Sequence, residues 1–536
     1  MPEEKSPRPR GSAFGSRRVD RVRHFRLGVA SYTAAVPEPE SPRLDRRERW
    51  FGKEARTRLR HCGRRHWLFL VVLGVGLALR VVAQVAYRPS LLYIDSYTYL
   101  GNLHGLNPSK TSQPIGYEVL LLRPVLSIGN LAVVAAVQHV IGLAMGVVIY
   151  VLAVRLGARR WVAVLAAGPV LLDAYQLQIE QNIMSEPLFE ALILAGVVLL
   201  LWKRPLTFPV LAIGGALLGL SATVRAIGVA LVVPAVVFAL VAGRGGWQRI
   251  LRAAVIGAAF VAVIGAYCSY AWIKSGDFEL SRGDAYLLYG RAATIVDCRG
   301  LDLPHYERVL CPNEALDDRL GPNEYAHHSP YPGRVVLPPG KDRDAVLRDF
   351  ARRVFEHQPL DLAKHVVTDF AKGFAPWRTT FPGDVALSRW QFQREYPTYD
   401  QDPIPAVRTY GGGSPHVVEP LALFLRGYQL SVGYVPGSVL GVAFVAGLFA
   451  AAGVGRARRS GLRAACLLPA LCGLSVLFAA DFFHFSWRYQ LPALVLAPLS
   501  GALALTALTG WTEPRPANGD GVAATTGVFD SLSAAS

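Results

Sequence analysis

Apolar residues run along this chain in long blocks separated by short polar connections. A bilayer core takes about 20 mostly apolar residues per helix, because backbone groups left unpaired in hydrocarbon cost several kcal/mol each. The pattern predicts ten spans: Trp67–Tyr87, Leu131–Val154, Trp161–Ala174, Pro187–Trp202, Phe208–Thr223, Ile227–Ala242, Ile250–Trp272, Val432–Ala452, Leu462–Ala479 and Leu491–Leu508. The third to the sixth are short. The expected fold is an all-α polytopic membrane protein.

Two polar intervals interrupt the blocks, one at 88–130 within an N-terminal membrane module (67–272) and a long one at 273–430 before the C-terminal helices (431–510). The long interval opens with Gly-, Pro- and Asp-rich loop sequence and then turns amphipathic. Leu347, Phe350, Ala351 and Val354 fall at helical spacing, as do Ala363, Val366, Val367, Phe370, Ala371 and Phe374. Pro359 divides these two helices, which are expected to pack on the membrane domain or its interface.

Composition agrees, with 52% hydrophobic residues and a mean hydropathy of +0.30. The net charge of +17 would suggest nucleic acid in a soluble chain, but Met1–His66 alone carries 18 basic against 8 acidic residues. Further basic groups (Arg155/Arg159/Arg160, Lys203/Arg204, Arg244/Arg249/Arg252, Arg456/Arg458/Arg459/Arg463) fall at every second connection. Short cytoplasmic loops retain Lys and Arg, so the excess reads as topology, with both termini cytoplasmic and the intervals at 88–130 and 273–430 outside. Residues 1–66, rich in Arg, Pro, Ser and Glu, are expected to be a disordered cytoplasmic tail, and 511–536 likewise. No apolar h-region with a cleavage site precedes the first span, which is read as an uncleaved anchor.

None of the six cysteines has zinc-site spacing. Cys298 and Cys311 share the outer interval, where a disulfide is expected, worth roughly 3 kcal/mol. Cys268, Cys466 and Cys472 read as buried apolar residues and Cys62 as a cytoplasmic thiol.

Ionisable residues in or beside spans are expensive to keep and are functional candidates when they face the protein interior. Here they gather towards the outer side. Asp95, in Tyr93-Ile94-Asp95-Ser96-Tyr97-Thr98-Tyr99, is the first acid past the first span; Arg80 lies late in that span, and Gln138 and His139 lie in the second. Gln178, Glu180, Gln181, Asn182, Ser185 and Glu186 crowd the turn between the third and fourth. Arg225 separates the fifth and sixth, and Asp481, His484, Trp487 and Arg488 separate the ninth and tenth. Taken singly, an acid past a span is more often a helix cap or a solvated residue, and Tyr97 and Tyr99 fit an interfacial aromatic belt. Recurrence at several outer turns is the signal. An outer cavity holding an acid and several arginines suits a substrate with a phosphate leaving group, because guanidinium forks bind phosphate and a carboxylate takes a proton from an attacking hydroxyl.

These residues resemble a known pattern. Asp95 after the first helix, Pro114-Ile115-Gly116-Tyr117 followed by leucines, Gln138-His139, Leu156-Gly157, Ser185–Phe189 opening the fourth span, Arg225, and Arg488-Tyr489-Gln490-Leu491-Pro492 together look like the GT-C superfamily of integral-membrane glycosyltransferases. The resemblance is nearer to the polyprenyl-phosphate-sugar-dependent branch of protein O-mannosyltransferases and lipid A aminoarabinose transferases. It covers roughly Arg80 to Pro492 and is strongest before Pro234.

The resemblance implies an inverting hexosyl- or pentosyltransferase. It would move a sugar from a polyprenyl-phosphate carrier to an extracytoplasmic protein, lipid or cell-wall glycan, with Asp95 as general base. Arg80, Arg225 and Arg488 are expected to bind phosphate, and Tyr97, Tyr99 and Glu186 to complete the substrate site. Ser96 follows Asp95 where the mannosyltransferase-like branch commonly has Asp-Glu, which leaves the sugar and acceptor unassigned. No cofactor is implied; the first loop has no acidic cluster dense enough for a divalent cation, although a metal requirement stays open. A transporter or lipid flippase, and a non-catalytic envelope assembly protein, are the alternative readings.

Overall fold

A computed structural model describes residues 44–510 apart from 112, 203–204, 243–244 and 400, with side chains from residue 63 onward except that of 110. The expected tails at 1–43 and 511–536 lie outside the described residues, as do Lys203, Arg204, Arg244 and the side chain of Cys62. The chain divides into two units, 1–62 and 63–536.

The second unit is an all-α, multi-pass membrane assembly. Its main helices are α1 (Gly63–Ala86), α2 (Ile94–Asn102), α3 (Leu131–Arg155), α4 (Arg160–Leu172), α5 (Ala174–Gln181), α6 (Glu186–Trp202), α7 (Phe208–Val224), α8 (Ala226–Ala242) and α9 (Gly246–Ser275). They continue with α10 (Asp284–Ile295), α11 (Pro322–His327), α12 (Arg343–His357), α13 (Pro359–Lys372), α14 (Glu419–Ser431), α15 (Gly437–Ala452), α16 (Arg463–Phe483) and α17 (Leu491–Thr509). Each of the ten apolar blocks holds a helix, although residues 432–436 of the eighth are not helical and Tyr87 of the first lies in a strand. Among the described residues, five helices (α1, α3, α9, α16 and α17) are long and apolar enough to cross a membrane, and α4 with α5 passes as a bent pair. The others are shorter, α6 and α7 at 17 residues each.

Helix contacts rely on small residues. In α7, Gly215 and Gly219 lie one turn apart, and a Cβ on them would run into the carbonyl oxygens of Ile256 and Phe260. Absent side chains therefore let α7 and α9 approach backbone to backbone, a packing mode on which membrane helices depend because lipid supplies no hydrophobic drive.

The third apolar block departs from expectation. After Leu172 the chain bends by 45° at Asp173 and runs on as α5, whose eight residues are all buried. The group from Gln178 to Gln181, expected in a turn, is thus a polar helix inside the protein. Asp173 explains the bend: its carboxylate caps α5 by accepting from Tyr175 N at 2.9 Å, and it pairs with Arg378 at 2.8 Å. The following stretch is extended, with Leu91 N donating to Gln181 O and Ile183 N to Leu91 O.

In the long interval, Leu347, Phe350, Ala351 and Val354 of α12 pack against Ala285, Tyr289 and Ala292 of α10 in a separate core. The stripe expected on α13 splits. Val366 is buried and Phe370 packs against Phe478 of α16, ring centroids 5.9 Å apart, whereas Val367 is exposed. Cys298 and Cys311 are joined by a disulfide, and Cys268, Cys466 and Cys472 are free and buried. Tyr87–Arg88 pairs antiparallel with His416–Val417, bringing the end of the long interval to the top of α1.

Candidate functional site

The end of the bundle that carries both intervals holds a cluster of two carboxylates and two arginines drawn from four places in the sequence. Asp95 stands in the first turn of α2. Ser96 positions it: the Ser96 hydroxyl accepts from Tyr93 N at 2.9 Å and donates to Ile183 O at 2.8 Å. That contact ties the start of α2 to the extended stretch leading into Glu186. Arg488, in the short turn before α17, pairs through Nη2 with Asp95 Oδ2 at 2.8 Å and through Nε with Glu186 Oε1 at 2.7 Å. Arg225, between α7 and α8, reaches the same Glu186 oxygen at 2.6 Å and donates to Ser185 Oγ at 3.2 Å. Tyr99 Oη lies 3.2 Å from Ser185 Oγ.

Glu186, Arg225 and Arg488 side chains are at most 5% exposed, whereas that of Asp95 is 27% exposed. Asp95 is therefore the member that a ligand can meet directly. The four formal charges cancel. Glu186 Oε2 is buried without a hydrogen-bond partner among the described residues.

Aromatic rings wall the cluster. The Arg488 guanidinium lies 5.2 Å from the centres of both Trp390 and Tyr489 and 5.7 Å from Tyr93; Arg225 lies 5.5 Å from Tyr489. Burial, with the Asp95 and Glu186 charges, holds the Tyr99 hydroxyl protonated well above its ordinary range. His484 stacks edge-on to Tyr489 at 5.2 Å, is buried, and has no partner for Nδ1 among the described residues. Burial pushes its pKa down to about 3, helped by the neighbouring His327, Arg291 and Arg488, so the imidazole is neutral.

Two expected residues lie elsewhere. Arg80 is not brought to Asp95. Its Nε and Nη2 hold Glu180 at 2.8 and 2.9 Å, and its remaining donors go to the carbonyls of Gly76, Val170 and Leu171. His139 completes this second cluster, at 3.0 Å from Glu180 and 2.8 Å from Gln181. Arg80 thus satisfies an acid of the bent helix, two carbonyls at the bend and one of its own helix, with no donor left over. Tyr97 is half-buried with a hydroxyl that has no partner among the described residues, its pKa pushed up to about 12 by burial and by Asp402.

The residues missed in the sequence come from the long interval. Trp390 and Arg389 flank the cluster, with Arg389 Nη1 donating to Tyr93 Oη at 3.3 Å. Nothing in their local sequence marks them, because long-range packing positions them. Trp487 Nε1 donates to Thr379 O at 2.7 Å, and Arg291 donates to the carbonyls of Asp481 and Phe482, each at 2.9 Å. These bonds seat the turn carrying Arg488 against the interval. Among the described residues, no group of three or more His, Cys, Asp or Glu could hold a metal ion.

No family model matches the chain, and no curated protein matches it. Among solved structures it is similar to an oligosaccharyltransferase of Archaeoglobus fulgidus tethered with an acceptor peptide, at 13% identity over 83% of this chain and 50% of that one, TM-score 0.38. It is also similar to the oligosaccharyltransferase AglB of Archaeoglobus fulgidus in complex with an inhibitory peptide and a dolichol-phosphate, at 14% identity over 88% of this chain and 54% of that one, TM-score 0.36. The chain thus spans about half the length of these two. A third similar structure is ArnT of Cupriavidus metallidurans bound to undecaprenyl phosphate, at 14% identity over 82% of this chain and 77% of that one, TM-score 0.32.

Proposed function

We propose that the protein is a GT-C-type glycosyltransferase that moves a sugar from a polyprenyl-phosphate carrier to an extracytoplasmic acceptor, with Asp95 as the general base. The observation that carries this reading is the partly exposed Asp95 paired to a buried Arg488, which shares Glu186 with Arg225. In the reaction the acceptor hydroxyl attacks the anomeric carbon and the bond from that carbon to the phosphate oxygen breaks. The hydroxyl proton passes to Asp95, and the polyprenyl phosphate leaves with the bonding electrons. One direct displacement inverts the anomeric centre.

The neutral charge balance fits this sequence of events. Protonation of Asp95 removes the negative partner of Arg488 as charge grows on the departing phosphate, so the guanidinium can transfer its interaction to the leaving group. The transporter reading calls for polar groups free along a path through the bundle. The deeper polar cluster instead closes on itself through Arg80, Glu180 and His139.

The test uses purified full-length protein in lipid nanodiscs, a panel of radiolabelled polyprenyl-phosphate sugars, and envelope fractions as acceptor. Label should move from the carrier to an acceptor, and Asp95→Asn should lower turnover by roughly 100-fold while melting temperature and carrier binding stay near wild type. A well-folded Asp95→Asn protein working at the wild-type rate would overturn the mechanism.

A further inference from the structure

On the far side of the aromatic wall lies a cleft of about 640 Å³, lined among others by Arg389, Arg394, Glu395, Tyr396, Tyr399 and Arg426. Among the described residues it contains three arginines and a single acid. Arg389 and Arg426 are held by neutral acceptors, Tyr93 Oη at 3.3 Å and Phe392 O at 2.7 Å, contacts that orient the guanidinium groups without cancelling their charge. Closely placed arginines that are not neutralised favour an anion between them.

The tyrosines are held as firmly. Tyr396 donates to Ser90 O at 2.7 Å and Tyr399 to Arg389 O at 3.1 Å. Tyr399 adopts φ +48°, a left-handed conformation that a bulky residue rarely takes and that clusters at ligand sites. Its ring packs edge-on against Tyr93, centroids 4.9 Å apart, and Tyr93 in turn faces Arg488. The cleft therefore shares a wall with the Asp95 cluster. Every residue lining it belongs to the segment from Ser388 to Arg426, and none belongs to a helix long enough to span. The cleft is thus built by the long interval and not by the spanning helices.

We propose that this cleft recognises an anionic sugar, carboxylate- or phosphate-bearing, as part of the acceptor. Arg394 and Arg426 take the charged group, and the fixed tyrosine faces take the C–H surface of the ring. The proposal rests on the transferase reading for the word acceptor, but the binding chemistry stands without it.

The experiment measures binding to full-length protein in nanodiscs for two anionic probes, a galacturonate trisaccharide and glucose 6-phosphate, beside galactose trisaccharide and glucose. Undecaprenyl phosphate added to the nanodisc lipid forms a separate arm. At least one anionic probe should bind about tenfold or more tightly than its neutral counterpart. Arg394→Gln with Arg426→Gln should abolish that margin while leaving undecaprenyl phosphate binding and melting temperature unchanged. The proposal is overturned if neither anionic probe is preferred, or if the preference survives the double variant. It is also overturned if the variant loses undecaprenyl phosphate instead, which would assign the arginines to the carrier. A wild-type protein that keeps the anionic preference yet fails to bind undecaprenyl phosphate would sink the transferase reading and leave the cleft standing.

Discussion

At the scale of single residues, the two arginine environments make opposite predictions. Arg80 spends all its donors on Glu180 and three backbone carbonyls, so its removal strands a buried carboxylate and opens a helix bend. Breaking a buried pair from one side costs about 3–5 kcal/mol. Arg80→Ala should therefore lower the melting temperature and expression, and activity per folded molecule should stay near wild type. Arg488 has the reverse profile. Lysine there keeps a charge but cannot span Asp95 and Glu186 as the planar fork does. Arg488→Lys should stay folded and raise the donor KM by roughly tenfold, measured with the labelled carrier panel. An Arg80→Ala protein that folds normally but loses donor use would return Arg80 to the phosphate site. Sequence alone does not separate these arginines, since each is a lone basic residue near the end of an apolar block. What distinguishes them is the partner, and for Arg80 that partner is 100 positions away in a helix whose sequence reads as a turn.

At the scale of elements, the apolar blocks were legible because hydrocarbon burial imposes length and composition on each span. The bend at Asp173 was not, because α5 has the polar composition of a loop. Its helix is specified by a cap and by tertiary partners rather than by periodicity. Ser96 shows the same limit from the other direction. It reads as a departure from a family pattern, yet its hydroxyl ties the start of α2 to Ile183. Close helix contacts were legible in principle, since Gly215 and Gly219 have the small-residue spacing that lets helices meet, but their partner helix was not. A methyl group on Gly219 would press on the Phe260 carbonyl, which is backbone and cannot swing aside. Gly219→Ala should destabilise the α7–α9 contact by about 1–3 kcal/mol, whereas Gly265→Ala, which would meet nothing within 4 Å, should be silent. Thermal unfolding of the two variants in the same detergent checks this, and equal melting temperatures would show that the helices part without cost.

At the scale of the whole molecule, the proposed chemistry depends on sidedness. The Asp95 cluster draws α2, the turns before α6, α8 and α17, and Trp390 of the long interval to one end of the bundle. Whichever side carries the interval thus carries the site. We propose the side from charge: Arg456, Arg458, Arg459 and Arg463 form the connection between α15 and α16, and short connections rich in arginine stay cytoplasmic. On that proposal the interval, with the Cys298–Cys311 disulfide, lies in a compartment that tolerates oxidised thiols. A reporter fused after Gly340 should accordingly be active outside the membrane, and one fused after Ala457 inside. Both reporters on one side would mean that the one apolar block between them, α15 at 16 residues, fails to span. A reporter at Gly340 found inside would be more damaging, because it would place Asp95 and Arg488 on the cytoplasmic face and remove the extracytoplasmic acceptor from the proposal.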